Sequence, residues 1–223
     1  TIIRELDNYV ASGSEVAVVA NIAGLEEQIR RATPNLKNQK LVVTEGETTD
    51  RAVLEELKVQ DYDHIIVLAY GEMGPTKLEV QEADAKTLVT LLHLRDMAEK
   101  DETPFSIVSE MLDLRNRELA NAAKVDDFIV SEQLVSLMMS QFSENAELFD
   151  VFADIYDPEG AEIYLKPAAD YVTTGKPVNF ATVVEAARRR GQTALGYRLA
   201  AQAGDASVSY GVHTNPRKSE AVT

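Results

Sequence analysis

Apolar positions along this chain switch between helical and strand spacing. "IIRELDNYV" places Ile2, Ile3, Leu6, Tyr9 and Val10 at helical intervals. "EVAVVAN" reads as a buried strand from Glu15 to Ala20, and "GLEEQIRRAT" as a helix that Pro34 closes. A short apolar run, Leu41 to Val43, precedes a helix over Asp50 to Leu57. The nearly all-apolar "HIIVLAY", His64 to Tyr70, predicts another strand, and a long helix follows from about Gln81 to Lys100. Phe105 to Ser109 in "FSIVSEM" predicts a strand, "RNRELANAAK" a helix and "DFIVS" a short strand. Apolar strands alternating with helices predict an α/β fold with a parallel sheet covered on both faces. Right-handed crossovers would make it a Rossmann-like, doubly wound sheet.

The pattern changes after Ser131. "SEQLVSLMMSQFSENAELFDVFADIY" is mostly helical, with a break near Asn145 and a cap and start expected around Ser131 to Leu134. Its apolar positions, Leu134, Val135, Leu137, Met138, Met139 and Phe142, form a band too wide for one buried stripe. Such a helix is either core or a surface that packs on a partner. Asp157-Pro158-Glu159-Gly160 is a turn signal. Beyond it, "AEIYLKPA" and "TALGYRLA" read as strands around the helix "FATVVEAARRRG", which ends at Gly191. "ASVSYGV" is a further candidate strand before the turn at Asn215-Pro216. The expected organisation is a Rossmann-like lobe over residues 1–130, crossover and linker helices over 131–156, and a small C-terminal α+β domain over 157–223.

Composition narrows the function classes. With 45% hydrophobic residues the chain can bury a core, and it has no run of 18 apolar residues to span a membrane. Arg4, Glu5 and Asp7 argue against a signal peptide in the first residues, and the absence of cysteine fits a cytosolic setting. Asp and Glu number 37 against 22 Lys and Arg, a formal charge of −15. A field of that sign repels phosphate backbones, so no nucleic-acid partner is expected, and it concentrates cations.

Candidate chemistry is sparse. No GxGxxG turn is present, and the strand that would normally end in a ribose-binding acid ends in Ala20-Asn21, which opposes NAD or another nucleotide as cofactor. His64, His93 and His213 are scattered, there is no nucleophile elbow, and neither an HExxH nor an EF-hand loop occurs. The chain does not read as an enzyme. Two acidic groups are the better lead for a hard cation such as Ca2+, which takes several carboxylate and carbonyl oxygens. One is Glu45, Glu47 and Asp50, at the C-terminal end of a strand, where such sheets bind ligands. The other is Asp150, Asp154, Asp157, Glu159 and Glu162. Both have a plainer reading: Thr49 or Asp50 caps a helix, and the second run is a polar hinge. Arg188 to Arg190, with Arg198 nearby, form the one dense basic patch; they suit a helix C-terminus or carboxylates of a neighbouring subunit.

The order of elements, together with "QEADAKTLVTLLHLRDM", "IVSEMLDLRNRELA", "DDFIVSEQLVSLMMSQFSEN" and "EIYLKPAADYV…GQTALGYRLA", resembles the cytosolic RCK (regulator of potassium conductance) module of the CASTOR/POLLUX family of ion channels, bacterial members included. The resemblance runs from about Ile65 to Ala200. It implies one module of a gating ring beneath a tetrameric cation-channel pore, linked to calcium. The first strand would then precede Thr1, and a last strand could follow Thr223. It also implies that the helix after Ser131 crosses to a neighbouring module, making Leu134, Leu137, Met138 and Phe142 an assembly surface. Expected partners are further copies of the chain and the pore region of the same protein. The membrane is met only through a transmembrane part outside these residues, so the fragment is soluble and sits at the cytoplasmic face. Two alternatives stay open: a separate soluble regulatory subunit of a cation transporter, and a nucleotide-dependent enzyme.

Overall fold

The computed structural model describes residues 2–69, 78–100, 105–116, 119, 127–160, 162–203 and 205–222. The chain divides into two compact units, Thr1–Glu162 and Ile163–Thr223.

The first unit is a mixed α/β arrangement with two groups of parallel strands. After helix α1 (Ile2–Tyr9), strand β1 (Ser14–Ala20) pairs with β2 (Gln39–Glu45) across helix α2 (Leu25–Ala32), with Ser14 opposite Gln39 and Ala20 opposite Glu45. The apolar run Leu41–Val43 marks only the middle of β2, because the ladder with β1 continues past it at both ends. Helix α3 (Arg51–Glu56) leads to the second group, β3 (His64–Val67), β4 (Ser106–Met111) and β5 (Asp127–Val130), paired in that order and all parallel. Strand β3 stops at Val67, short of the expected Tyr70, which lies outside the described residues. The ladder runs through Met111 rather than ending at Ser109. Most of the expected helix over "RNRELANAAK" also lies outside the described residues; Arg115 and Asn116 complete a 3₁₀ turn.

Helix α4 (Val80–Ala98) carries the core. Its buried positions, Ala83, Asp84, Thr87, Leu91, Leu94 and Ala98, recur at helical spacing on one face. Leu91 and Leu94 pack with Leu54, Val59, Val67, Phe105 and Ile107 into one apolar cluster. Asp84 shares that face and has no exposure to water. Its carboxylate accepts the backbone N–H of Leu112 (2.9 Å) and Asp113 (3.0 Å) and the Asn116 side-chain amide (2.7 Å), fixing the chain where it leaves β4. Asp7, also buried, does the same for the entry to β2, accepting from the backbone N–H of Lys37, Asn38 and Gln39.

Helices α5 (Ser131–Glu144) and α6 (Leu148–Tyr156) follow directly. Ser131 is the first helical residue and Val130 holds the capping position, one residue ahead of the expected cap. The break at Asn145 is as expected: its side-chain oxygen accepts the Glu147 N–H at 3.0 Å.

The second unit is small and mixed. Helix α7 (Phe180–Arg188) lies among four short strands: β6 (Val178–Asn179) pairs with β9 (Ala221–Val222), and β7 (Gly196–Arg198) with β8 (Val212–Thr214), both antiparallel. A side chain at Gly196 would meet the His213 carbonyl at 2.1 Å, so this tight pairing demands glycine. Fully buried Phe180 anchors the helix, and Asn179 caps it by accepting from Thr182 N–H at 3.0 Å. Three expectations fail here. Residues 162–167 form no strand; they have no ladder partner, Pro167 lacks an N–H, and Leu165 is 77% exposed. "TALGYRLA" contributes only Gly196–Arg198, because the chain turns into a 3₁₀ segment at Ala200–Gln202. "ASVSYGV" is not extended either: the Asp205 carboxylate caps Ser207, and Ser209 and Tyr210 take left-handed backbone angles, so β8 starts only at Val212.

Two outcomes test these anchors. Asp84→Ala leaves half-buried N–H donors without an acceptor and is expected to lower unfolding stability by about 1–3 kcal/mol in urea titration. The backbone donors around Asp7, Lys37 first, hold its carboxyl below its ordinary value. Its contribution is therefore present above that value and fades as pH falls through the lowered one. Asp7→Asn should reduce the urea midpoint at pH 7, and the gap to the parent chain should narrow below about pH 4.

Candidate functional site

The strand-to-helix segment after β2 was the first candidate. Gly46 lets the backbone pass close to α3, since a Cβ there would sit 2.8 Å from Val53 Cγ1. The Gly46 N–H donates to the Ala20 carbonyl (3.2 Å), continuing the β1–β2 contact past the ladder. The three acids around it then diverge. Exposed Glu45 accepts the Gly24 N–H at 3.1 Å, where α2 begins. Glu47 turns to α4 and meets Lys86 Nζ at 3.3 Å, with both side chains about a third exposed at 30% and 31%. Asp50 caps α3 by accepting the Ala52 N–H at 2.9 Å, which decides between it and Thr49. Nearby, the Thr48 and Thr90 hydroxyls are 3.1 Å apart, and Arg51 bridges Glu55 and Asp96, both at 2.6 Å.

The second acidic group lies on α6 and the turn after it. Asp150 and Asp154 are exposed and one helical turn apart. The Asp157 carboxylate closes the turn on Glu159 N–H at 2.9 Å; Glu159 is exposed and Glu162 half-buried. Among the described residues, no three His, Asp or Glu side chains gather into a group that could hold a metal ion.

The broad apolar helix is α5. Leu134 and Leu137 are exposed, at 45% and 59%, as are Val135 and Met139, while Met138 and Phe142 are half-buried. Phe142 has an inward role: its ring meets Phe149 and Phe152 edge-on, each at 5.7 Å, and pins α6 against α5. On α6, Phe149, Val151 and Tyr156 are exposed. Both helices therefore expose several large apolar side chains.

At the end of α7, Arg188 and Arg189 both bond the Glu185 carboxylate, at 2.8 and 2.9 Å, and hold its pKa down to about 2. The Arg190 guanidinium lies over the Tyr171 ring, 4.6 Å from its centre. Asp84 was not singled out from the sequence, though its place in the apolar repeat of α4 was a usable signal. Asp7 carried no comparable signal.

No protein-family model matches the chain. It is 28% identical to the ion channel CASTOR of Lotus japonicus over 194 residues, covering 74% of this chain and 22% of that protein. With the ion channel POLLUX of Lotus japonicus it shares 28% identity over 233 residues, 90% of this chain and 25% of that one. The ion channel DMI1 of Medicago truncatula is 27% identical over 234 residues, with 90% and 26% covered. This chain is a distant relative of plant CASTOR and POLLUX ion channels. It spans about a quarter of their length. No helix among its described residues is long and apolar enough to cross a membrane.

The cap has a measurable consequence. Asp50→Ala should lower stability by about 1 kcal/mol, as loss of a helix N-cap does. Glu45→Gln, at an exposed side chain, should change the urea midpoint far less.

Proposed function

We propose that this chain is the regulatory, gating-ring module of a cation channel, which couples binding of a ligand or cation to the pore and assembles with further copies of itself. The observation that carries the reading is the similarity to ion channels over most of this chain, confined to about a quarter of their length. That relation favours a channel part over a nucleotide-dependent enzyme. It leaves a separate regulatory subunit as the alternative, and the sequence encoded upstream distinguishes the two. A fused channel carries apolar spans of about 20 residues there.

The finer fold belongs to the same proposal. In a doubly wound sheet of order 3-2-1-4-5-6, β1 and β2 take places 2 and 3, and β3, β4 and β5 take places 4 to 6. Strand 1 would lie between β1 and β3, supplied from outside these residues. Among the described residues, β1 pairs only with β2 and β3 only with β4, which supports this arrangement.

The α5–α6 surface is the proposed assembly face, with Leu134, Leu137 and Met138 as its anchors and Phe142 bracing them from within. Methionine adapts to the surface it meets. Ligand control follows if the ring has two arrangements and the ligand binds one more tightly, shifting the pore equilibrium by that difference. A cation acting at Glu45, Glu47 and Asp50 would have to draw Glu45 from Gly24, Glu47 from Lys86 and Asp50 from its cap.

At ~100 µM, well above a micromolar dissociation constant, the chain should sediment as a dimer or larger, and Leu137→Glu should shift it towards monomer. A monomeric parent chain at that concentration would overturn the assembly reading. Calorimetry with Ca2+ against Mg2+ tests the cation role: a heat lost in Glu45→Gln/Glu47→Gln supports it, and no heat from either ion removes it.

A further inference from the structure

The charge of the chain is segregated between its two units. Ile163–Thr223 carries eight Lys or Arg against four Asp or Glu, and Thr1–Glu162 carries fourteen against thirty-three. The total of −15 therefore divides into +4 and −19. The imbalance is steepest where the first unit ends: between Lys124 and Lys166 there are ten Asp or Glu and no Lys or Arg. Within that stretch, α6 presents exposed Asp150 and Asp154 one turn apart, with Phe149 and Val151, 60% and 52% exposed, flanking Asp150 in sequence.

The second unit offers the complement. An open groove along α7 is lined by Tyr171, Asn179, Thr182 and Glu185, with Arg189 and Arg190 at its carboxyl end. Glu185 is the one acid there, and it is shared between Arg188 and Arg189. Arg190 rests on the Tyr171 ring, and the Tyr171 hydroxyl donates to Gln192 Oε1 at 2.7 Å, which holds the ring in place. A planar guanidinium beside an aromatic face is suited to a carboxylate with apolar neighbours, since the fork takes two oxygens and the ring packs on the neighbours. The carboxyl end of α7 also favours cations at that position.

We propose that the arginine groove on α7 docks on the acidic face of α6, around Asp150 and Asp154, in a second copy of the chain. The proposal rests on the assembly reading above and adds the contact that sets orientation. Two copies of charge −15 repel as wholes, and an arrangement that brings the +4 unit of one copy onto the −19 unit of the other relieves that repulsion. In a two-fold dimer the contact would form twice. Its strength falls with salt, because the screening length shrinks from roughly 30 Å at 0.01 M to 10 Å at 0.1 M.

Sedimentation equilibrium on the whole chain tests it, using Arg189→Glu/Arg190→Glu and Asp150→Arg/Asp154→Arg. Each variant alone should self-associate at least about tenfold more weakly than the parent chain, since like charges then face each other. Mixed together, the two should form a heterodimer approaching parent affinity, because one contact becomes attractive with its signs exchanged and the other is the parent pair. This recovery also shows that both variants are folded. Arg190→Gln and Asp154→Asn, milder changes, should weaken association in the same direction.

Parent-like association of the reversed variants, or a mixture no tighter than either alone, overturns the docking contact. If Leu137→Glu still dissociates the protein in that case, assembly through α5 stands without it. A parent chain that stays monomeric at low and high salt removes both.

Discussion

Asp84 is an ionisable side chain shut away from water on the inner face of α4, where it takes three hydrogen bonds from the chain leaving β4. A carboxylate in that position is tolerated only because it is fully partnered. Its effect is to tie the end of β4 to the first turns of the helix that packs on β3 and β4. Leu91 and Leu94, two and three turns further on, reach Leu54, Val59 and Phe105, so one helix couples the core to the loops at the strand ends. Thr48, Glu47 and Arg51 also meet this helix, through Thr90, Lys86 and Asp96. The rim after β2 is thus tied to the same element as the rim after β4.

Much of this unit was legible in the sequence because short apolar runs between helical repeats leave a strong signal. Apolar runs marked all five strands, and the repeat in α4 marked its buried face. The ends of strands were less legible. Pairing extends β2 beyond Leu41–Val43, and a ladder partner, unlike a side-chain pattern, is not visible locally. The second unit was harder to read because its strands are two or three residues long. Over such lengths alternation carries little information, and the fold is decided by caps, left-handed turns and single close approaches such as Gly196 against His213. "EIYLK" has strand composition yet finds no strand to pair with, and composition cannot supply a partner.

The candidate site shows a related limit. Glu45, Glu47 and Asp50 are near one another in sequence, and proximity suggested convergence. In the structure each is turned to a separate backbone or side-chain partner. Acids at the start of a helix and the end of a strand meet many N–H donors, and the nearest of these fixes each direction before any shared ligand can. The sequence also marked the excess of apolar side chains on α5 but left core and surface open, and Leu134, Leu137 and Met139 are exposed.

That exposure and the charge distribution constrain each other. Exposed Leu134, Leu137, Phe149 and Tyr156 favour burial against another protein, since large apolar side chains gathered at a surface mark interaction sites. Yet the same stretch of chain bears Asp150 and Asp154 and no basic residue at all. Bringing two such surfaces together face to face would gain apolar contact while crowding carboxylates, so burial alone does not fix how copies meet. A basic surface must be near the acids once water is excluded, or the acids must stay at the wet rim. The chain carries a basic surface of its own in its second unit, with Arg190 already seated on an aromatic ring. Apolar area can supply the strength of association here, and the separated charges its direction.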